Sequence, residues 1–418
     1  MQRYEKYKDS GVDWIGEIPK HWECKRLGTW FTERREKVSD KDYAPLSVTK
    51  NGVVPQLDNA AKSNDGDNRK LVKEGDFVIN SRSDRKGSSG LSVLDGSVSL
   101  INIVMKPRNI DGKFSQYLLK SRAFVEEFYR NGHGIVADLW TTRFDEMKFI
   151  NISVPQIKEQ QTIATFLDDK TAKIDQTIGI KEKEIELLKE RRQILIQKAV
   201  TKGLDDTVPL KDSGVDWIGK IPEHWEVRKV KYILKERNER SSDGNEPLLM
   251  MSQTYGLVVR ADYHSKSEVA KSSEGNKIVR KGDLVFNKLK AHLGVFYKSN
   301  IEFNGIVSPD YAVYYSTGVL KDLKFLELLF RNPKYINEFI CRATGIVEGL
   351  IRLYTADLFD IYVSVPPDEQ QIEILKYLEE IEEKISKAIL LKQQEIEKLK
   401  EYKTVLIDNV VTGKVRVS

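Results

Sequence analysis

Cysteine is almost absent: Cys24 and Cys341 are the two in 418 residues, far apart and in no metal-ligand spacing. Such usage fits a reducing cytoplasm. The five histidines are scattered, with no zinc spacing. No apolar run is long enough to cross a bilayer. The opening Met1-Gln2-Arg3-Tyr4-Glu5-Lys6 lacks the apolar core of a secretory signal. The sequence therefore reads as soluble and intracellular. A Walker A loop is missing, which excludes an ATP motor. Pro309-Asp310 has no acidic-x-Lys partner, so a nuclease site is unsupported. Asn332-Pro333-Lys334-Tyr335 approaches the Asn/Asp-Pro-Pro-aromatic motif of amino-methyltransferases but lacks its second proline. No glycine-rich cofactor loop precedes it, and it lies in a helical stretch, where it reads as a break. One-sided charge is also missing. Lys plus Arg number 68 against 63 Asp plus Glu, a net charge of +5. That balance permits nucleic-acid binding through local patches without demanding it.

What is present is a sequence written twice. Lys8-Asp9-Ser10-Gly11-Val12-Asp13-Trp14-Ile15-Gly16-Glu17-Ile18-Pro19 returns as Lys211-Asp212-Ser213-Gly214-Val215-Asp216-Trp217-Ile218-Gly219-Lys220-Ile221-Pro222. His21-Trp22-Glu23 and His224-Trp225-Glu226 continue the match. Chance does not produce this identity, so the chain arose by duplication. Further on, Ser153-Val154-Pro155 matches Ser364-Val365-Pro366, and Glu184-Ile185-Glu186 matches Glu395-Ile396-Glu397. Glu159-Gln160-Gln161 matches Glu369-Gln370-Gln371 only after a one-residue adjustment. Between these anchors the halves diverge. Weak echoes remain, Gly75-Asp76-Phe77-Val78 against Gly282-Asp283-Leu284-Val285, and Gly134-Ile135-Val136 against Gly345-Ile346-Val347. Two similar frames thus hold two different inserts, as a binding protein with two reading heads would need.

Pro155 and Pro366 precede two candidate long helices, and Gly203 and Gly413 follow them, which are the expected boundary signals. Heptads run through both. The apolar seam of the first is Leu167, Ile174, Ile178, Ile185, Leu188 and Leu195. That of the second is Leu378, Ile385, Ile389, Ile396, Leu399 and Leu406. Cationic flaws recur at matching places, Lys181 with Lys392 and Arg192 with Lys403. Parallel pairing in register would set these like charges against each other. Antiparallel pairing sets Lys181 against Ile396 and Arg192 against Ile385, where long stems can lie on apolar partners. The pattern therefore favours an antiparallel pair and an approximate two-fold relation between the halves. Packing of each helix on its own domain alone is the competing arrangement.

Residues 21–155 and 224–365 read as α+β domains. Gly75–Asn80 and Gly282–Asn287 are strand-like, and Phe114–Arg130 and Leu320–Cys341 are helical. A polar, cationic loop follows each strand: Asn80, Arg82, Ser83, Arg85 and Lys86 in the first domain, and Asn287, Lys288, Lys290 and His292 in the second. An earlier pair of loops holds Lys50 and Asn51, and Gln253, Thr254 and Tyr255. Arg forks suit guanine edges, Asn and Gln suit adenine, and Lys and Ser suit phosphates. Any single one of these residues also reads as an ordinary solvated turn. As paired loops with different contents, they read as candidates for DNA contact.

Gly-Val-Asp-Trp-Ile-Gly-x-Ile-Pro-x-His-Trp, and Val-Pro-x-x-x-x-Glu-Gln-Gln opening a long helix, resemble the framing segments of type I restriction-modification specificity subunits. Both occur twice, in the family's order, over nearly the whole chain. The resemblance implies an α+β protein with two target-recognition domains joined by two long antiparallel helices in an internal pseudo-two-fold repeat. Its segments would be an N-terminal repeat 1–20, a recognition domain 21–156, a spacer helix 157–203, a central repeat 204–223, a second recognition domain 224–367, and a second helix with the C-terminus 368–418. It further implies double-stranded DNA as ligand, two adenine-methyltransferase subunits as partners, and restriction subunits beside them. S-adenosylmethionine, ATP and Mg would belong to those partners, and this chain would need no cofactor or metal. The second helix opening has one residue fewer between Pro366 and Glu369 than the first has between Pro155 and Glu159, which suggests a small rotation of one domain about its helix. The competing classes are a DNA-modifying enzyme with its own methyltransferase activity and a plain coiled-coil scaffold. The first lacks motifs, and the second leaves two divergent globular inserts unexplained.

Overall fold

The computed structural model describes residues 2–57, 66–134, 140–252, 255–263, 273–344 and 352–417. The chain forms two units. Unit 1 is Met1–Lys183 with Lys392–Ser418, and unit 2 is Glu184–Leu391.

Unit 1 centres on a four-stranded antiparallel sheet in the order Ser89–Leu91, Phe77–Asn80, Asn102–Pro107, Phe31–Glu33. Three shorter strands, Gly96–Val98, Arg69–Val72 and Lys37–Val38, form a second sheet. A hairpin joins Leu46–Thr49 to Gly52–Pro55. Unit 2 repeats the four-stranded order with Phe296–Lys298, Leu284–Asn287, Tyr311–Ser316 and Leu234–Glu236. Its hairpin joins Leu249–Ser252 to Gly256–Val259. The regions that diverge in sequence therefore share their strand order.

The recurring Gly-Asp pairs belong to this frame. Gly75 and Gly282 have φ of +84° and +86°, a left-handed turn that a Cβ would strain. The turn delivers Asp76 to Arg34 (2.7 and 3.1 Å) and Asp283 to Arg237 (2.8 and 2.9 Å). The helical stretches break where a new cap intervenes. In unit 1 Gly112–Lys120 is followed by Arg122–Arg130, whose first turn Ser121 caps by accepting from Phe124 N–H. In unit 2 Lys324–Leu329 is followed by Pro333–Arg342. Asn332 caps that helix and Pro333 opens it, since a first-turn residue needs no N–H. The near-miss Asn-Pro motif is thus a helix start.

The long helices are Ile157–Lys202, 46 residues, and Asp368–Val411, 44 residues. Leu167, Ile174, Ile185, Leu378, Ile385, Ile396 and Leu406 of their seams are buried. Ile178, Leu188, Leu195, Ile389 and Leu399 are half-buried. The helices run antiparallel within each unit. In unit 1 Lys403 donates to Asp175 (2.7 Å), and in unit 2 Arg192 donates to Glu382 (2.8 Å). In a parallel pair at the 211-residue repeat, Glu382 would stand beside position 171, about 31 Å from Arg192 at 1.5 Å per residue. The seam cations do more than reach water: Lys181 pairs with Glu395 across the helices. Replacing Arg192 and Glu382 by cysteine, with Cys24 and Cys341 changed to serine, is expected to give rapid intramolecular coupling by a short bis-maleimide. Failure of that pair to couple, read by mass spectrometry, would contradict the antiparallel arrangement.

The frame motifs meet at the helix starts. In unit 1 Trp22 Nε1–H donates to Glu159 Oε1 (3.1 Å), and Gln160 bridges Asp111 N–H and Pro155 O. In unit 2 Trp225 Nε1–H donates to Gln370 Oε1 (2.9 Å), and Gln371 bridges Lys321 N–H and Pro366 O. Glu159 therefore corresponds to Gln370 and Gln160 to Gln371, at the same 211-residue spacing as Pro155 and Pro366. The one-residue adjustment suggested by Glu-Gln-Gln is wrong, and so is the rotation inferred from it. Glu159→Gln is expected to change stability by less than about 0.5 kcal/mol, because Gln370 does the same work. Glu159→Leu strands the Trp22 N–H and should cost about 1–3 kcal/mol. Denaturant melts of the two variants check this, and equal losses would overturn the assignment.

Candidate nucleic-acid interface

In unit 1 the sheet strand ending at Asn80 runs into the cationic loop. Asn80 is buried, and its Oδ1 accepts from Arg82 N–H (3.1 Å), which turns the chain outward. Tyr129 is buried behind the loop, and its hydroxyl donates to Asn80 O (3.1 Å) and Arg85 O (3.3 Å). Burial pushes that hydroxyl's pKa up to about 12, so it stays a donor. Ser83–Arg85 forms a short 3-10 turn. Arg82 and Arg85 are exposed, and Asp84 lies 3.5 Å from Arg85. Lys86 is held by Glu126 at 2.6 Å.

Lys120 joins this loop to the hairpin. Its Nζ donates to Lys50 O (2.8 Å) and Ser89 O (3.2 Å). Lys50 and Asn51 sit exposed at the hairpin tip. The structure thus brings the two sequence-derived loops of this domain side by side. It adds a third segment. His133 and Thr141 exchange backbone hydrogen bonds, and Ser83 N–H donates to Trp140 O (2.9 Å). Trp140 is 38% exposed beside the arginines.

Unit 2 repeats the turn. Asn287 Oδ1 accepts from Leu289 N–H (3.0 Å), and Lys288–Leu293 follows as a 3-10 segment kinked at Lys290. Lys290 is exposed. Lys288 is mostly buried, 3.8 Å from Glu236. Burial, aided by Lys277, lowers its pKa against the opposing pull of Glu236. Thr344 and Arg352 pair as His133 and Thr141 do, and Leu353 N–H donates to Lys288 O (3.1 Å). Tyr255 is 61% exposed and lies against Tyr263, ring centroids 4.8 Å apart. Gln253 and Thr254, and the side chain of His292, lie outside the described residues.

The candidates therefore divide. Lys50, Asn51, Arg82, Arg85, Lys86, Lys290 and Tyr255 face solvent, whereas Asn80, Asn287 and Lys288 serve the scaffold. Sequence reasoning passes over Trp140, Tyr263 and Arg352. The weak echo of Gly134-Ile135-Val136 in Gly345-Ile346-Val347 marks the segments that hold Trp140 and Arg352, but by itself it signals only duplication.

Residues 19–190 match the family model described as the type I restriction modification DNA specificity domain. The specificity subunit of the type I enzyme MjaVIII from Methanocaldococcus jannaschii is 24% identical, over 96% of this chain and 94% of its own length. The chain thus carries a type I DNA specificity domain and is similar along its length to type I specificity subunits. The specificity subunit of the Escherichia coli K12 enzyme EcoKI is 25% identical over 88% of this chain and 83% of its own. The fold agrees with solved type I structures. A chain from a structure of type I restriction-modification complex assembly and conformational transition superposes with a TM-score of 0.69 at 14% identity, covering 95% of this chain and 99% of that chain. The HsdS subunit from Thermoanaerobacter tengcongensis gives 0.56 at 15% identity, covering 95% and 98%. Among the described residues no helix is long and apolar enough to cross a membrane, and no group of His, Cys, Asp and Glu could hold a metal ion.

Proposed function

We propose that this specificity subunit reads a two-part DNA site, one half with each unit, and brings methyltransferase and restriction subunits to it. The observation that carries this is the shared strand order beneath loops of different content: Arg82, Arg85 and Trp140 in unit 1, and Lys290, Tyr255 and Tyr263 in unit 2. A common scaffold with different exposed donors and rings suits two different base sequences. Two methyltransferase subunits supply S-adenosylmethionine chemistry on adenine, the restriction subunits use ATP and Mg, and this chain transfers no group itself. The test exchanges residues 21–156 for those of a relative with a known site, and maps methylation after adding methyltransferase subunits. One half of the methylated motif is expected to change and the other to stay. Change in both halves, or methyl transfer by this chain alone, would contradict the reading.

A further inference from the structure

Unit 2 contains a cleft of about 350 Å³ where the end of the first long helix, the central repeat and the helix Pro333–Arg342 meet. Trp217, Ile218, Ile221 and Ser364 on its wall belong to the duplicated frame, matching Trp14, Ile15, Ile18 and Ser153 of unit 1. The rest of the wall departs from the frame in one direction. Lys220 stands where unit 1 has Glu17, and Lys334 where it has Ala123. Lys202 is inserted between Thr201 and Gly203, where the other helix passes from Thr412 straight to Gly413. Three cations thus face one cleft, and among the described residues no carboxylate lines it.

Polar groups without partners mark the same place. Tyr335 replaces Phe124 of unit 1 and is 3% exposed. Its hydroxyl lies near the backbone and side chain of Ser364 without a hydrogen bond of good geometry. Trp217 holds the ring edge-on, centroids 4.8 Å apart. Gln197, one helical turn before Thr201, is half-buried, and both its amide atoms are buried and unpaired. Buried polar atoms are rarely left so. The counterpart of Gln197 in unit 1 is Asp408, whose carboxylate accepts from Arg122 N–H (2.9 Å) at the start of the helix Arg122–Arg130. Unit 1 supplies its own anion at that helix start. Unit 2 has a neutral glutamine there, and its helix start is capped only by the neutral Asn332 side chain, which accepts from Lys334 N–H (2.9 Å), so among the described residues no anion offsets its positive end.

We propose that this cleft binds a phosphate group. Lys202, Lys220 and Lys334 supply the counter-charge, the Tyr335 hydroxyl donates, and the Trp217 ring covers the organic part. Lys334 spends one N–H on Ile218 O (3.1 Å) and keeps two. The phosphate comes from a free nucleotide or from the DNA backbone, and the two sources share this chemistry.

The test uses the full chain, titrated with inorganic phosphate and with AMP and followed by tryptophan fluorescence, with Trp217→Phe to locate the signal. Saturable binding of both is expected, tighter for AMP. Lys220→Glu and Tyr335→Phe install the residues unit 1 uses at these places, so the fold is retained, and thermal melts confirm it. Lys220→Glu is expected to weaken binding about tenfold or more, the scale of one charged hydrogen bond. Displacement of AMP by duplex DNA would assign the phosphate to the backbone. Simultaneous binding would assign it to a nucleotide. Both support the site. No saturable response to either probe, or unchanged affinity in the Lys220→Glu, Tyr335→Phe double variant, would overturn it.

Discussion

Replacing Arg82 and Arg85 together by alanine is expected to produce the largest loss of DNA affinity available from a two-residue change in unit 1. Both side chains project from a loop whose backbone is fixed from behind by Tyr129 and Lys120, so the change removes the guanidinium groups without removing the loop. An arginine that forks onto a guanine edge contributes about 1–3 kcal/mol of discrimination, or about five- to 150-fold for each residue. Such a loss relaxes one base position and leaves the other half-site unchanged. An arginine on a phosphate behaves differently: affinity falls alike for all sequences, and the salt slope drops by about 0.9 for each phosphate no longer neutralised. Lys86→Ala is expected to matter less, because Glu126 already holds that ammonium at 2.6 Å. Anisotropy titrations of cognate and half-site-scrambled duplexes at three salt concentrations separate these cases. Unchanged binding in the double variant would remove this loop from the interface.

Asp76→Ala is expected to be the most destabilising single change in unit 1. The Asp76 carboxylate is 3% exposed, and it accepts two bonds from Arg34 and one from Lys73 N–H (2.9 Å). Deleting it leaves the Arg34 guanidinium, 21% exposed, without its counter-charge, together with an unpaired amide. Breaking one side of a buried pair costs about 3–5 kcal/mol. Asp283→Ala repeats the experiment in unit 2, where Arg237 and Arg280 N–H (2.8 Å) lose the same partner. Chemical denaturation followed by tryptophan fluorescence reads both variants. A loss below about 1 kcal/mol in either would show that the Gly-Asp echo has no structural role.

Most of the frame is legible in the sequence because it rests on repeated identity and periodicity. The helix bounds follow from Pro155, Pro366, Gly203 and Gly413, and their antiparallel sense from the placement of Lys181 and Arg192. The register at the second helix start misleads because Glu-Gln-Gln is a run of similar letters. Hydrogen bonding does not follow letters: it selects one acceptor for Trp225 and one glutamine for Pro366 O. Composition finds the loops, but it cannot tell an exposed polar side chain from one that shapes its own turn. Asn80 and Asn287 look like adenine readers and act as local backbone acceptors. Lys288 looks like a phosphate contact and lies against Glu236. Trp140 escapes a linear reading because its nearness to Arg82 depends on chain pairing between His133 and Thr141, about fifty residues downstream of the loop.

The grips on the unit 1 loop fall on main-chain oxygens. Tyr129 holds the carbonyls of Asn80 and Arg85, and Lys120 those of Lys50 and Ser89. Every residue has a carbonyl, so these grips are indifferent to which side chains the loop displays. Mutation can therefore wander through positions 82, 83, 85 and 86 at little cost to folding, with preference for a new DNA word as the property that varies. A library randomised at those four positions, with Tyr129 and Lys120 kept, would yield mostly folded members, and selection could act on recognition alone. The same indifference offers a route by which a lineage could acquire new words faster than new folds.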